Sequence, residues 1–238
     1  MFSVIARRKS LCYTKTEEVI GMKDIPVFTT EHGVASLILQ EIPTQGCAYI
    51  RLQATLSPEQ LLAECISFCR MVGATRIYAT GNELLESKPL YTAIWEMACL
   101  KDSLEDTDAF LWPVQIETLD AFRNCYNQKI QGVPNAAWMT EKEAKRIVEA
   151  GEGYFVHRAG ACLGIGIVRG SEIAFIASVQ KGAGSTVVRT LAHAIGDTRV
   201  TLQVASANEK AVSLYERLGF LKTREISQWY RVFEQSEG

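Results

Sequence analysis

Two closely spaced glycines, Gly182 and Gly184, stand where an apolar segment changes into a helical pattern. The first amide groups of a helix have no partner within the helix, and glycine lets an anion approach the backbone closely. These residues therefore predict a phosphate-binding turn, although a purely structural glycine turn has the same pattern. No Gly-Lys-Ser or Gly-Lys-Thr follows them, and the third glycine of a dinucleotide fingerprint is missing. The residues thus argue against a nucleoside triphosphate loop and a dinucleotide site.

The elements on either side of the turn must hold it in place. Residues 173–179 are rich in branched and aromatic side chains and predict a strand. Residues 187–195 repeat apolar side chains at helical spacing and stop at Gly196, which predicts a helix. A second strand over 200–205 and a second helix after Asn208 follow. The order is strand, glycine turn, helix, strand, helix.

From Asn208 onwards this segment resembles the GNAT superfamily of N-acetyltransferases. In that family the pyrophosphate turn is followed by a strand, an asparagine and a helix with Leu-Tyr-x-x-x-Gly-Phe. The matching helix motif here is Leu214-Tyr215-Glu216-Arg217-Leu218-Gly219-Phe220. The chain departs from the family at Val179, where glutamine or arginine is usual. The resemblance covers residues 109–233 well and residues 27–100 weakly.

The resemblance implies an α/β (α+β) fold with a mixed, mostly antiparallel twisted sheet flanked by helices. It also implies acetyl-CoA as cosubstrate, no metal, and direct transfer of acetyl to a primary amine of a small molecule or peptide. By resemblance, the backbone of Ala177, Ser178 and Val179 pairs with the pantetheine arm, and Asn208 contacts the same arm. The pyrophosphate is expected at Lys181, Gly182, Ala183, Gly184, Ser185 and Thr186.

Acetyl transfer needs a neutral amine and a proton for the leaving thiolate, and a free alkylamine has a pKa of ~10.4. The resemblance makes Tyr215 the expected general acid; its alternative role is core packing. Asn208 also has an alternative role, because Ser206-Ala207-Asn208-Glu209 has the form of a helix capping box. The general base is not identifiable, and three side chains are candidates that would act through a water molecule, with a role as solvated surface groups as the alternative for each. These are Glu152, His157 and Glu172.

The remaining elements of the second half are expected from apolar spacing and turn residues. Strands are predicted at 110–114, 154–157, 162–168 and 172–179, helices at 118–131 and 140–150, a turn at 132–135, and closing strands at 223–226 and 229–233.

The first half predicts an altered copy of the same unit. A hairpin is expected from 27–30 and 34–41, strands at 48–54 and 76–80, and helices from Ser57-Pro58-Glu59-Gln60 and over 84–100. Leu90-Tyr91 would then correspond to Leu214-Tyr215. The alternative is that any two strand-helix-strand-helix segments look alike in a coarse sequence pattern, so that the similarity does not indicate a duplication.

Two domains are therefore expected, with the join at the acidic segment 101–108. Residues 1–108 would form a degenerate GNAT-like domain without a glycine turn, in which Glu59 disfavours a phosphate at the helix start. Residues 109–238 would form the acetyltransferase domain. We therefore expect one competent half.

The composition is that of a globular protein, with 238 residues, 47% hydrophobic and 22% charged. The net charge of -2 gives no basic field for nucleic acid. The seven cysteines contain no Cys-x-x-Cys, and with three histidines they make a structural zinc site unexpected. No apolar run approaches the ~20 residues that span a bilayer. We expect reduced thiols, a cytoplasmic monomer or homodimer without an export signal, and an amine acceptor as partner.

Three functions are compatible with the pattern. An acetyl-CoA-dependent N-acetyltransferase is favoured. A catalytically weak CoA-binding regulatory or interaction protein is the alternative, and a nucleotide-binding module is the third hypothesis.

Overall fold

The computed structural model describes residues 26–131 and 138–235. The strands in these ranges are β1 (Val27–Thr30), β2 (Gly33–Ile38), β3 (Cys47–Thr55), β4 (Arg76–Thr80), β5 (Leu90–Leu100), β6 (Phe110–Pro113), β7 (Gly153–Arg158), β8 (Ala161–Arg169), β9 (Glu172–Ser178), β10 (Arg199–Ala205) and β11 (Leu221–Glu234). The helices are α1 (Ile42–Gln45), α2 (Pro58–Met71), α3 (Leu119–Lys129), α4 (Glu141–Glu149), α5 (Gly184–Ala192) and α6 (Glu209–Arg217). The turn predicted at 132–135 lies outside the described residues.

All eleven strands belong to one sheet with the order β1-β2-β3-β4-β11-β5-β10-β9-β8-β7-β6. Within the described ranges, the pairs β3–β4 and β9–β10 are parallel and the other neighbours are antiparallel. The predicted mixed, mostly antiparallel sheet is therefore confirmed. Both parallel pairs are joined by a helix, as parallel pairing requires a crossover.

The two faces of the sheet carry different helices. A Cβ atom on Gly164 or Gly166 would meet α5 side chains, whereas Ile165 and Ile167 pack with α3 and α4. Successive side chains of a strand point to opposite faces, so α5 and the pair α3–α4 cover opposite faces. We call these the α5 face and the α3 face. Residues of α6 pack in the same cluster as α5.

The first half uses the same two faces. On β5, Met97 packs in the α5 cluster, whereas Ile94 packs on the other face with Trp229. Tyr230, the next residue after Trp229 on β11, packs with α2. Helix α2 therefore lies on the α5 face, and the aromatic cluster around Trp229 lies on the α3 face.

Strands are exchanged between the two halves of the chain. The last strand, β11, lies between β4 and β5, and β5 lies between β11 and β10. Tyr230 is opposite Ala79 of β4, and Ala205 of β10 is opposite Ile94 of β5. Strands from both sides of residue 108 therefore form one continuous sheet. The duplication and the domain boundary at that residue stay predictions.

The predicted helix over 84–100 is wrong. A short 3-10 helix occupies Glu83–Ser87, and Leu90–Leu100 forms β5. Side chains are buried on both sides of this strand, for example Met97 and Ala98. Such a strand is a nearly continuous apolar run and does not alternate. The proposed correspondence of Leu90-Tyr91 with Leu214-Tyr215 fails for the same reason.

The other predicted elements of the described residues are present, with two differences in detail. The closing strands at 223–226 and 229–233 are one strand, β11, whose register shifts several times against β5 and β4. Such irregularities take up extra residues without ending the strand. At the start of α2, Ser57 makes no side-chain cap hydrogen bond.

Two general features of the described residues complete the fold. The six cysteines in these ranges are free thiols. None of the helices described here has the length and apolar character needed to cross a membrane.

Candidate functional site

The two parallel strand pairs differ at their carboxyl ends. In the first half, β3 and β4 are paired over five residues, from Cys47↔Arg76 to Arg51↔Thr80. In the second half, β9 and β10 are paired only at Thr201↔Glu172 and Leu202↔Ile173. Beyond Leu202 these two strands have no ladder between them, and we call the space between their carboxyl ends the gap. The gap opens beside the glycine turn.

The backbone of β9 reaches the gap at Ser178. The N–H of Val179 donates to the carbonyl of Leu163 on β8 at 2.8 Å, and Ala177 is opposite Ile165 of the same strand. Backbone groups of successive residues point to opposite sides of a strand. Of the three residues predicted to pair with pantetheine, Ser178 therefore directs its backbone groups to the gap, and Ala177 and Val179 direct theirs to β8.

The two glycines of the turn have different surroundings. Gly182 has a φ of +85°, a conformation that favours glycine, and open space around its Cβ position. A Cβ atom on Gly184 would lie 3.0 Å from Leu214 of α6 and 3.5 Å from the Ser178 hydroxyl. Gly184 therefore lets the turn approach β9 and α6 closely. Lys181 is exposed at the tip.

The first turn of α5 leaves its amide donors without partners in the helix. The first helical bond runs from the N–H of Val187 to the carbonyl of Ala183 at 2.9 Å, so the amides of 184–186 precede the ladder. No side chain caps this end, and no acidic residue lies in its first turn. By contrast, Thr140 caps α4 and Asn208 caps α6. The start of α5 is thus suited to an anion.

An open cleft of about 450 Å³ adjoins the turn. Three cations from α5 and α6 line it with the glycines, and none of them was predicted as a site residue. Lys210 and Arg217 are two helical turns apart and so share a face of α6, a signal that was available in the sequence. The lining consists of Gly182, Gly184, Ser185, Arg189, Lys210, Leu214, Arg217 and Leu218. Arg189 is also paired with Glu105 at 2.7 Å.

Tyr215 lies at the base of this region, in the core between α6 and the sheet. It is 8% exposed, and its cluster includes Ala183 of the turn and Val204 of β10. Its ring centre is 5.9 Å from that of Phe220. Burial raises the pKa of Tyr215 to about 12. The side chain is therefore a protonated phenol at neutral pH, which suits both core packing and proton donation.

Asn208 performs the capping role that its sequence context predicts. Its Oδ1 atom accepts the N–H of Ala211 at 3.3 Å, and the residue is exposed. A contact between Asn208 and the cofactor arm stays a prediction.

Two of the three candidate bases lie at the opposite end of the sheet. Glu172 begins β9, and Glu152 precedes β7. Burial alone would raise the pKa of Glu152, but hydrogen bonds from Arg169 and Arg146 outweigh it and hold this pKa below its usual range. The distances from Glu152 to these arginines are 2.7 and 3.0 Å. Glu152 therefore stabilises the α4–β8 contact and is not near the gap.

His157 lies at the same end of the sheet as the turn, but β8 and β9 separate it from the gap. Its ring centre is 6.5 Å from that of Trp112 and 6.2 Å from that of Phe155. The structure thus brings together the turn, Ser178, Asn208 and Tyr215, and leaves all three candidate bases away from them.

Comparisons with known proteins agree with this geometry. The model of the FR47-like protein family matches residues 177–232. The search of curated proteins found no match. A GCN5-related N-acetyltransferase from Sphaerobacter thermophilus aligns at a TM-score of 0.55 and 13% identity, covering 87% of this chain and 78% of that one.

Two further solved structures have a similar fold. A functionally unknown conserved protein from Staphylococcus epidermidis aligns at a TM-score of 0.52 and 11% identity, covering 90% of this chain and 95% of that one. A GCN5-related N-acetyltransferase from Anabaena variabilis aligns at 0.54 and 13%, covering 78% and 55%. Identities this low carry information on fold alone. The chain therefore has the fold of the GCN5-related N-acetyltransferases, and its glycine turn, β10 and α6 lie within the segment that matches the FR47-like family.

Proposed function

We propose that the protein is an acetyl-CoA-dependent N-acetyltransferase with one active site, at the gap between β9 and β10. The observation that carries this proposal is the uncapped start of α5 at the mouth of a gap that only one of the two parallel strand pairs possesses. A pyrophosphate fits the amides of 184–186 and the cations of the cleft. An extended arm fits the gap, where the backbone of Ser178 lacks a neighbouring strand.

Acetyl-CoA supplies an activated acyl group as a thioester. In the proposed reaction the amine nitrogen attacks the thioester carbon, the carbon–sulfur bond breaks, and Tyr215 gives its proton to the departing sulfur. The proton of the amine passes to solvent and a proton from solvent restores the Tyr215 phenol, since none of the three candidate bases lies at the gap.

The first half fits no second cofactor site. Strands β3 and β4 stay paired to Arg51↔Thr80, so they leave no gap. Helix α2 begins with Pro58, which has no N–H, and carries Glu59 in its first turn. Both features oppose an anion at that helix start.

The test is the substitution Gly184→Val in the full chain. The added side chain would meet Leu214 and occupy the approach to the α5 amides. Acetyl-CoA binding, measured by calorimetry, is expected to weaken at least about tenfold, which corresponds to ~1.4 kcal/mol. Gly196→Val is the matched control. Gly196 lies beyond the other end of α5, and no atom lies within 4 Å of a Cβ atom placed there.

Equal affinity of both variants for acetyl-CoA would contradict the proposed cofactor site. Tight acetyl-CoA binding by the wild type without thiol release, across a broad set of amines, would indicate the CoA-binding regulatory protein instead.

A further inference from the structure

The open cleft beside the glycine turn extends beyond the turn, along the flanks of two helices. Helix α5 leads from the carboxyl end of β9 to the start of β10, and α6 leads from the carboxyl end of β10 to the start of β11. Strands β9, β10 and β11 point in one direction, because β9 and β10 are parallel and both β10 and β11 are antiparallel to β5. The two helices therefore run in the same direction, away from the gap, with the cleft between them.

The three cations of the cleft stand at different heights along these helices. A Cβ atom on Gly184 would lie 3.0 Å from Leu214, so the start of α5 is beside the middle of α6. Lys210 precedes Leu214 by four residues and is ~6 Å nearer the gap end of α6. Arg217 lies ~4.5 Å beyond Leu214, and Arg189 lies ~7.5 Å beyond Gly184. The two arginines therefore belong to the part of the cleft that lies beyond the turn.

These cations are available to a ligand. Lys210 and Arg217 are exposed and form no ion pair among the described residues. Arg189 pairs with Glu105 of the segment 101–108 at 2.7 Å, but the Glu105 side chain is 76% exposed, and such an exposed pair is weak. Three cations along one cleft repel one another, and a bound anion removes this repulsion.

The amides of 184–186 and the two arginines suit two separate anionic groups. The free amides at a helix start point along the helix axis, whereas Arg189 and Arg217 stand on the flanks that line the cleft. In the proposed complex the pantetheine arm enters the gap from the turn, so the adenosine of CoA must leave the turn on the other side. One ribose ring separates its 3′-phosphate from the pyrophosphate. Leu214 and Leu218 provide apolar lining in the same part of the cleft.

A phosphomonoester is the anion that best matches a pair of arginines. It carries a charge of about -1.5 to -2 at pH 7 and three acceptor oxygens, and a guanidinium can bind such a group with two parallel hydrogen bonds. Each phosphate of the pyrophosphate in CoA carries a single charge and has two bridging bonds. The second group of the cofactor is therefore the stronger ligand for Arg189 and Arg217.

We propose that Arg189 and Arg217 bind the 3′-phosphate of CoA, so that the protein selects CoA over 3′-dephospho-CoA. The pyrophosphate stays at the amides of 184–186, with Lys210 on the gap side. In the absence of the cofactor, Glu105 pairs with Arg189 and competes with the phosphate. This inference rests on the proposed acetyltransferase function, because it takes CoA as the ligand of the cleft.

The first test is equilibrium binding and does not need an acceptor. CoA and 3′-dephospho-CoA, which differ only in the phosphomonoester, are titrated into the full chain by calorimetry. CoA is expected to bind at least about tenfold more tightly, which corresponds to ~1.4 kcal/mol. Arg189→Gln and Arg217→Gln are each expected to reduce this ratio. The double variant is expected to bring it to about 1 and to keep the affinity for 3′-dephospho-CoA.

Two controls separate the arginine pair from the turn and from charge in general. Arg158→Gln removes an arginine that also pairs with an exposed carboxylate of the segment 101–108, Asp108 at 3.4 Å, but does not line the cleft. This variant is expected to keep the ratio. Gly184→Val is expected to weaken both ligands by a similar factor, because it acts at the α5 amides that both would use. Circular dichroism of each variant checks that the fold is retained.

Glu105→Gln tests the competition for Arg189. Loss of this exposed ion pair is expected to tighten CoA binding up to about fivefold and to leave the affinity for 3′-dephospho-CoA unchanged. Asp106→Asn is the matched control, because Asp106 is the next residue and is exposed but does not line the cleft. Equal effects of the two substitutions would remove Glu105 from the proposal.

The outcomes separate this inference from the proposed function. Equal affinity of the wild type for CoA and 3′-dephospho-CoA, a ratio unchanged in the double variant, or a ratio lowered as much by Arg158→Gln would overturn the 3′-phosphate site and leave the enzyme proposal intact. Adenosine 3′,5′-bisphosphate has the phosphomonoester but no pantetheine arm. If it bound more tightly than adenosine 5′-monophosphate, in an Arg217-dependent manner, while acetyl-CoA did not bind, the phosphate site would stand and the proposed function would fall.

Discussion

A phenol held in a core can give up a proton only to a strong base, and this property defines what Tyr215 can contribute. Its pKa of about 12 keeps it protonated over the whole physiological range. A thiolate whose thiol has the ordinary pKa of ~8.5 is a weaker base than this phenolate, so the raised pKa of Tyr215 opposes the proposed proton transfer to sulfur. The burial that makes Tyr215 a packing residue thus keeps its proton in place and makes the phenol a weaker acid, so its role as proton donor needs a direct test.

The substitution Tyr215→Phe distinguishes these two roles. If Tyr215 is the general acid, kcat is expected to fall about 10²- to 10⁴-fold while acetyl-CoA affinity is unchanged. A packing role alone predicts unchanged turnover, because phenylalanine keeps the ring. Steady-state kinetics and calorimetry on the same preparation give both values.

The pH profile provides a check at the same residue. Activity is expected to rise with pH as the acceptor amine loses its proton. It should fall only when Tyr215 ionises, near pH 12 by its raised pKa. A falling limb between pH 7 and 10 would assign the acid role to another group.

Residues of the proposed cofactor site could be named from the sequence because their signals are local. Gly182, Gly184, Asn208 and Tyr215 belong to one continuous strand-turn-helix segment. The cleft cation Arg189 was missed, because it lies on α5, well before Lys210 and Arg217 of α6 in the chain, and becomes their neighbour only through the packing of the two helices. No spacing rule connects them.

At the scale of elements, the start of α6 has one observed role, helix capping by Asn208, and one proposed role, a contact of the same side chain with the cofactor arm. Asn208 caps the helix through its Oδ1 atom, which leaves its amide nitrogen available. Serine is also a good cap but has no amide group. The two functions are therefore separable by substitution.

Asn208→Ala is expected to cost about 0.5–2 kcal/mol of stability because the cap is lost. Asn208→Ser is expected to keep most of that stability and still weaken acetyl-CoA binding, if the amide contacts the cofactor arm. Thermal unfolding and calorimetry provide the two measurements. Unchanged acetyl-CoA affinity in Asn208→Ser would restrict Asn208 to capping.

Helices with clear ends were predictable, whereas β5, which is buried on both faces, was not. The cap at Thr140 and the glycine before α5 mark helix starts within a few residues of sequence. The segment 90–100 has no such marker, and its apolar residues serve two cores at once. The spacing of its apolar residues therefore does not distinguish a strand from a helix.

At the scale of the whole molecule, the exchange of β5 and β11 joins the two halves into one sheet. Met97 of β5 is 1% exposed and packs in the core of the second half. Tyr230 of β11 packs in the core of the first half. Neither core is complete without a strand from the other half, which an alternation pattern alone cannot reveal.

Met97→Ala is expected to destabilise both halves together by about 2–5 kcal/mol. Hydrogen exchange of the slowest amides in β3 and in β8 is expected to accelerate by the same factor in this variant. Met71→Ala is the control, because Met71 is 72% exposed at the end of α2. Faster exchange in β8 with unchanged exchange in β3 would show two independently unfolding domains.

The exchange of strands also constrains how the protein is made. β4 and β5 leave the ribosome early, yet the strand that belongs between them, β11, is translated after every other strand described here. Until then both would expose unpaired edges, which invite pairing with other chains. Contacts between such distant parts of a chain form slowly. The nascent first half is therefore the stage at which we expect this protein to depend on chaperones.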